Sequence, residues 1–163
     1  MKKSGCRAVY IGFESLNRNN LAQMKKSGNV TKDYLAVVHA IKKAGIMVCG
    51  AFVFGYDDDT LDAFEDTLAF ARKAKLCLAH FNLLFPTPGT RIYERLKREN
   101  RLINDPWWLF PGQEYGRSLF RPMKMTPEQM EEKCYDVRKR YNTFFSIVSR
   151  GPVSYTHLTL PTI

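Results

Sequence analysis

Three short apolar runs alternate with helical sequence along the amino-terminal part of the chain. They start at Ala8, Val48 and Ala79, and each is β-branched or aromatic and too short for a helix. Each run ends in a polar or glycine- and proline-containing loop, and helical sequence follows it. This order predicts strand–loop–helix units of a parallel α/β barrel, in which ligands gather at the carboxyl ends of the strands.

Apolar spacing predicts two helices between these strands. Thr31 is the expected N-cap of the first, which is expected to bury Tyr34, Val37, Val38 and Ile41. The acidic run 57–60 is expected to cap the second helix, whose apolar stripe begins at Leu61. Three consecutive aspartates can also bind a metal ion, so metal binding stays open beside capping and solvation.

The last third of the sequence contains an irregular aromatic segment and one clear helix. Residues 101–122 are rich in proline, glycine and aromatic side chains. Thr126 and Gln129 predict a capping box with proline between them. The helix that follows is expected to bury a long apolar stripe: Met130, Cys134, Val137, Tyr141, Phe144, Phe145 and Val148.

Composition indicates an ordinary globular domain. The 163 residues are 45% hydrophobic and 25% charged, and no run is long enough to span a membrane, so a cytoplasmic location is expected. The net charge of +9 leaves two interpretations open, a basic surface on solvated helices or a nucleic-acid-binding module. The four cysteines form no C-x-x-C pair, so they predict buried reduced thiols and no metal site.

The segment 153–162 differs from everything before it. It has no charged residue and no helical period, and it resembles the translation of a sequencing-library adapter. We therefore expect residues 151–163 to be an artefactual tail without a function.

Three motifs in order resemble a known family. Gly5–Ser15, Gly50–Gly55 and Phe81–Thr90 are similar to strands four, five and six of radical S-adenosylmethionine enzymes. The similarity is strongest to the group that carries an upstream cobalamin-binding domain. Residues 92–108 and the helix after Thr126 resemble the carboxy-terminal extension of that group.

The resemblance implies a fold and a chemistry. The fold would be the second half of a partial (β/α)6 TIM-like barrel over residues 1–100, with a mostly helical extension over 101–150. In such enzymes a C-x-x-x-C-x-x-C loop holds a 4Fe-4S cluster, which reduces S-adenosylmethionine and releases a radical that abstracts hydrogen. Methyl transfer or carbon-skeleton chemistry, with cobalamin as a possible further cofactor, would follow.

That cysteine loop does not occur in this sequence. The chain is therefore expected to be a truncated piece of an enzyme that is inactive by itself, with no catalytic and no metal-binding residue of its own. A basic half-barrel that binds or modifies nucleic acid is the alternative function. The preferred partner is a partly apolar small-molecule substrate. Trp107 and Trp108 would either cover this substrate at the end of the barrel or only pack the extension against the barrel.

The resemblance also implies cofactor-binding residues at the three strand ends. Glu14 and Ser15 would face the ribose or amino-acid part of S-adenosylmethionine, since carboxylates form strong hydrogen bonds to such groups. The remaining candidates would surround adenine: Phe54, Gly55, Asn82, Leu84 and Phe85. Purely structural roles are the alternative. Glu14 would then be a solvated acid at the end of its strand, Phe54 a core side chain and Gly55 a turn glycine.

Overall fold

Three parallel strands form one sheet in the order β1-β2-β3. The computed structural model describes residues 1–23, 33–112 and 114–150, and the predicted tail lies outside them. The strands are β1 (Ala8–Glu14), β2 (Met47–Phe54) and β3 (Leu78–Leu83). The α-helices of the described residues are α1 (Arg18–Gln23), α2 (Tyr34–Lys43), α3 (Asp62–Lys73), α4 (Arg91–Arg98), α5 (Pro127–Tyr141) and α6 (Phe144–Arg150). The predicted α/β class and parallel strands are confirmed.

One face of the sheet is the core. Strict alternation in β2 buries every second residue, so Phe52 and its neighbours across the sheet point toward the helices. The rings of Phe13 and Phe52 stack at 5.3 Å, and those of Phe52 and Phe81 at 5.7 Å. Such stacked rings fill the space beneath the helices with a continuous apolar layer.

The opposite face of the sheet carries Tyr10, Ala51, Val53, His80 and Asn82. The rings of Tyr10 and His80 meet across β2 with their centroids 5.6 Å apart, although Tyr10 is level with Cys49 and His80 with Ala51. Tyr10 is 61% exposed, so this face is accessible in the described residues. We refer to it as the open face.

Helix α5 anchors the carboxy-terminal part to the sheet. Its predicted capping box is confirmed, because Thr126 accepts from the Gln129 amide while Gln129 accepts from that of Thr126. The Tyr141 hydroxyl donates to the carbonyl of Leu76 at 2.6 Å. The helix packs against α3 and β3 through buried Met130, Cys134, Val137 and Tyr141.

The predicted apolar stripe ends earlier than expected. α5 stops at Tyr141, and the chain restarts as α6 after a break. Phe144 and Phe145 are 75% and 83% exposed, so the prediction that they join the core was wrong. The break turns both rings away from the sheet.

Two predicted helix caps were also wrong. Asp33 caps α2 by accepting from the backbone amides of Leu35 and Ala36, so the N-cap lies two residues after the predicted position. Thr31 itself lies outside the described residues. Helix α3 begins at Asp62 and has no side-chain cap, so Thr60 does not cap it. The acidic run before α3 therefore has another role.

None of the helices in the described parts of the chain is long and apolar enough to cross a membrane.

Candidate functional site

The loops that follow β1 and β2 are joined by buried side chains. Asp59 is 2% exposed, and its carboxylate accepts from the backbone amides of Gly55 at 2.9 Å and Tyr56 at 3.1 Å. Asn20, fully buried in the short helix α1 that follows the loop after β1, donates to the same carboxylate at 2.6 Å. Asn20 also accepts from the Asp58 amide at 3.2 Å. One asparagine thus holds the two loops at a fixed separation.

Burial dominates the electrostatics of this junction. Desolvation raises the pKa of Asp59, although its three hydrogen bonds act in the opposite direction. Burial also raises the pKa of Tyr56 to about 12, and the neighbouring carboxylates of Glu14 and Asp59 contribute to that rise. Tyr56 therefore stays a neutral hydroxyl beside two carboxyl groups.

Glu14 stands at the carboxyl end of β1 in an unusual backbone conformation. Its φ is 64°, and the pairing register with β2 shifts between Gly12 and Glu14. The carboxylate lies back over Gly12, where a Cβ atom would come within 2.7 Å of Oε1. The bulge thus aims the half-buried carboxylate at the open face, which is a typical use of a bulge at a site.

Ser15 lies beside Glu14 but is occupied by its own loop. Its hydroxyl oxygen accepts from the Asn17 amide at 3.1 Å and from the Asn20 side chain at 3.4 Å. The residue is only 6% exposed. Its position at the strand end agrees with the prediction, and its hydrogen bonds mainly order the turn that follows Glu14.

Phe54 and Gly55 have clear structural roles. The Phe54 ring stacks on Phe64 of α3 with centroids 4.1 Å apart and points into the core. Gly55 has a φ of 110°, and a Cβ there would lie 2.9 Å from both Met130 and Phe120. Only glycine fits this crossing of β2 with the extension. Phe54 and Gly55 therefore contribute only backbone atoms to the strand-end loops.

Six of the seven predicted residues line two separate clefts. The first, of about 180 Å³, lies between the loops after β1 and β2 and is lined by Glu14, Ser15 and Phe54. The second, of about 270 Å³, lies at the end of β3 and is lined by Asn82, Leu84 and Phe85. Gly55 lies between them and lines neither. Asn82 reaches the open face as the alternation along β3 predicts.

Three residues of this region were missed by sequence reasoning. Asn20 and Asp59 are 39 positions apart, so no local motif links them. Arg138 lies on α5 and reaches the second cleft, where its Nε donates to the Phe81 carbonyl at 2.6 Å. Its place on the same helix face as buried Cys134, one turn away, is the signal that could have revealed it.

The described residues contain no group of three His, Cys, Asp or Glu side chains that could hold a metal ion. The aspartates before α3 instead form ion pairs with basic side chains: Asp57 pairs with Arg95 and Arg101, and Asp58 pairs with Lys124. The four cysteines are free, but only Cys134 is buried, so the prediction of buried thiols was wrong for the other three.

No protein-family model matches the chain. Among characterised relatives, it is 33% identical over 91% of its length to the bacteriochlorophyllide d C-12(1)-methyltransferase of Chlorobaculum tepidum. The chain is similar to methyltransferases. An uncharacterized methyltransferase of Pyrococcus horikoshii is 30% identical over 89% of the chain, and the hopanoid C-2 methylase of Rhodopseudomonas palustris 30% over 64%.

The chain spans only part of these proteins. The alignments cover 31% of the Chlorobaculum enzyme, 30% of the Pyrococcus protein and 20% of the hopanoid methylase. The similarity therefore concerns a region of each relative and not its whole length.

Proposed function

We propose that this chain is the S-adenosylmethionine-binding part of a radical methyltransferase that methylates carbon atoms of a partly apolar small molecule. The observation that carries the proposal is the open face, where Glu14 is aimed across the carboxyl ends of the strands. The names of the relatives support methyl transfer and give carbon positions, C-12(1) in one relative and C-2 in another.

The open face fits a nucleoside. Val53 and Asn82 are paired neighbours in β2 and β3, and Glu14 pairs one residue earlier with Phe52. Glu14 and Asn82 are therefore nearly level and about 10 Å apart, because adjacent strands are separated by about 4.8 Å. Among the described residues, Ala51 and Val53 of β2 lie between these two strands, and Gly12 of β1 carries no side chain. This part of the open face is therefore a shallow surface for a flat ligand.

Each candidate residue has a role in this proposal. Glu14 accepts hydrogen bonds from ribose hydroxyls or from the ammonium group of S-adenosylmethionine. Ser15, Phe54 and Gly55 position the loop backbone beside the nucleoside. The Ser15 hydroxyl bonds within its own turn, the Phe54 ring packs in the core, and Gly55 has no side chain. At the adenine edge, Asn82 offers an amide, and Leu84 and Phe85 offer apolar surface.

The other cofactors would be held elsewhere. Four separated cysteines do not fit a 4Fe-4S cluster, so we propose that its ligands, and any cobalamin site, belong to a part of the protein outside this chain. When bound, the cluster and S-adenosylmethionine would supply hydrogen abstraction by a radical. Residues 1–100 would then form the second half of a partial barrel, and residues 101–150 an extension that packs on it.

No observation favours the nucleic-acid alternative. Many of the cations are neutralised within the protein, as in the pairs of Arg95 and Arg101 with Asp57 and of Arg140 with Glu65. Such pairs support the interpretation of the positive charge as a solvated helical surface.

Binding of S-adenosylmethionine tests the proposal. We expect titration of the chain to perturb the amide NMR signals of Glu14, Val53 and Asn82, and Glu14→Gln to weaken binding roughly tenfold, since a hydrogen bond to a charged group contributes about 1.5–3 kcal/mol. Glu94→Gln, an exposed change of the same kind on α4, is the matched control. Perturbations confined to the helical side would contradict the proposal.

A further inference from the structure

The second cleft extends beyond the residues needed for a nucleoside. It runs from Leu84 and Phe85 at the end of β3 to Arg138 on α5, and the ring of Tyr115 lies on its outer side. The Arg138 guanidinium carbon is 5.8 Å from the centroid of that ring. Glu114 and Arg117 also line the cleft. The cleft therefore has an apolar wall and an end at which two arginines lie beside one carboxylate.

Arg138 differs from its neighbouring arginines in having no anionic partner within the part of the chain that the structure describes. Its Nε donates to the Phe81 carbonyl, which fixes the plane of the guanidinium. The terminal nitrogens form no hydrogen bond, and no carboxylate pairs with them, among the described residues. By contrast, Arg117 beside it pairs with Glu131 at 2.9 Å, and Arg140 pairs with Glu65 and Asp136.

Asn82 adds a second unpaired polar group at the other end of the cleft. It is half-buried, and its side-chain amide has no hydrogen-bond partner among the described residues. A half-buried amide without a partner loses hydrogen bonds that water would otherwise offer, so a ligand that supplies them gains affinity. Asn82 also faces the place assigned above to the cofactor.

We propose that this cleft binds a hydrophobic ligand that carries a carboxylate. The carboxylate would lie on the two terminal nitrogens of Arg138, which form a rigid fork suited to it. The apolar body would pack on Leu84 and Phe85. In identifying this ligand as the methyl acceptor the inference rests on the proposed function, because Asn82 then borders both cofactor and substrate. Binding itself requires neither cofactor nor cluster.

Two ligands that differ only in charge test the proposal. We would titrate the chain with naphthaleneacetate and with naphthaleneethanol by calorimetry. The acid should bind at least tenfold more tightly, a difference of about 1.4 kcal/mol or more, because only the acid forms a charge-assisted hydrogen bond to Arg138. Arg138→Gln should remove this difference, and Lys139→Gln, an exposed change of the same charge on the next residue, should preserve it.

A second variant tests the apolar wall and remains informative if Arg138→Gln does not fold. Phe85 is 56% exposed, so Phe85→Ala should leave the fold intact and weaken both ligands by the same factor. Equal binding of the two ligands by the unaltered chain would overturn the proposal. So would an equal loss of affinity in Arg138→Gln and Lys139→Gln, since that result shows only a response to net charge. If S-adenosylmethionine fails to bind while these ligands behave as expected, the proposed function is wrong and the proposed carboxylate-binding cleft is still supported.

Discussion

Asn20 donates a hydrogen bond of 2.6 Å to Asp59, and both side chains are buried between the loops that follow β1 and β2. The same asparagine accepts from the Asp58 backbone at 3.2 Å. A single side chain thus satisfies polar groups of the other loop in both directions. The positions of Glu14 and Gly55 relative to each other depend on this contact.

Replacing Asn20 should destabilise the protein. Asn20→Ala leaves the Asp59 carboxylate and the Asp58 amide without this partner, which should lower the free energy of unfolding by about 1–3 kcal/mol. Urea denaturation measures the change. Asn19→Ala is the control, because Asn19 is exposed one position away. Equal effects of the two substitutions would show that the junction contributes nothing particular.

The stability of the protein should depend on the ionisation of Asp59. Burial raises its pKa in the folded state above the ordinary value of 3.8, so folding favours the protonated form. The contribution of Asp59 is then fully present below pH 3.8 and declines as the pH rises through the folded pKa. Its carboxyl carbon, followed by NMR, should titrate above pH 3.8, and the stability advantage over Asp59→Asn should decrease over that interval. Titration below 3.8 would reverse this account.

Two glycines with similar backbones separate strain from packing. Gly55→Ala should cost about 3 kcal/mol, because φ is 110° and the new methyl group would press on Met130 and Phe120. Gly116 has a φ of 91° but nothing within 4 Å of its would-be Cβ. Gly116→Ala should therefore cost only about 1 kcal/mol. Thermal unfolding of both variants measures the difference, and similar losses would mean that packing at Gly55 is unimportant.

Neighbouring residues of β2 should differ sharply in their tolerance to truncation. Phe52→Ala removes a ring that is 1% exposed and stacked on two others, so we expect a loss of about 3–5 kcal/mol. Val53→Ala on the open face should cost less than about 1 kcal/mol. Chemical denaturation of both variants tests which face is the core. Comparable losses would indicate that the open face is packed as well.

Local rules predicted most of the elements. The apolar runs identified all three strands to within a residue or two at each end, and Thr126 with Gln129 identified the start of α5. These features depend on neighbours in sequence, where propensity and hydrogen-bonding chemistry act directly.

The site was predicted less completely because it depends on distant contacts. The sequence placed Glu14 and Asn82 at strand ends but could not tell that the Phe54 ring turns toward α3, since either face of a strand can carry an aromatic residue. The sequence predicted that the aspartates before α3 cap that helix. Instead, Asp59 accepts hydrogen bonds from the Gly55 amide and from the side chain of Asn20, which lies 39 residues earlier in the sequence. Contacts of this kind follow from tertiary packing.

The separation of the sheet into a core face and an open face has an evolutionary consequence. Stacked Phe13, Phe52 and Phe81 supply cohesion on one side, and the side chains that would meet ligands stand on the other. Substitutions at positions such as Tyr10 or His80 can therefore change ligand specificity with little loss in the free energy of unfolding, which is small for any domain. Two-sided strands of this kind let new specificities arise by single replacements on an unchanged framework.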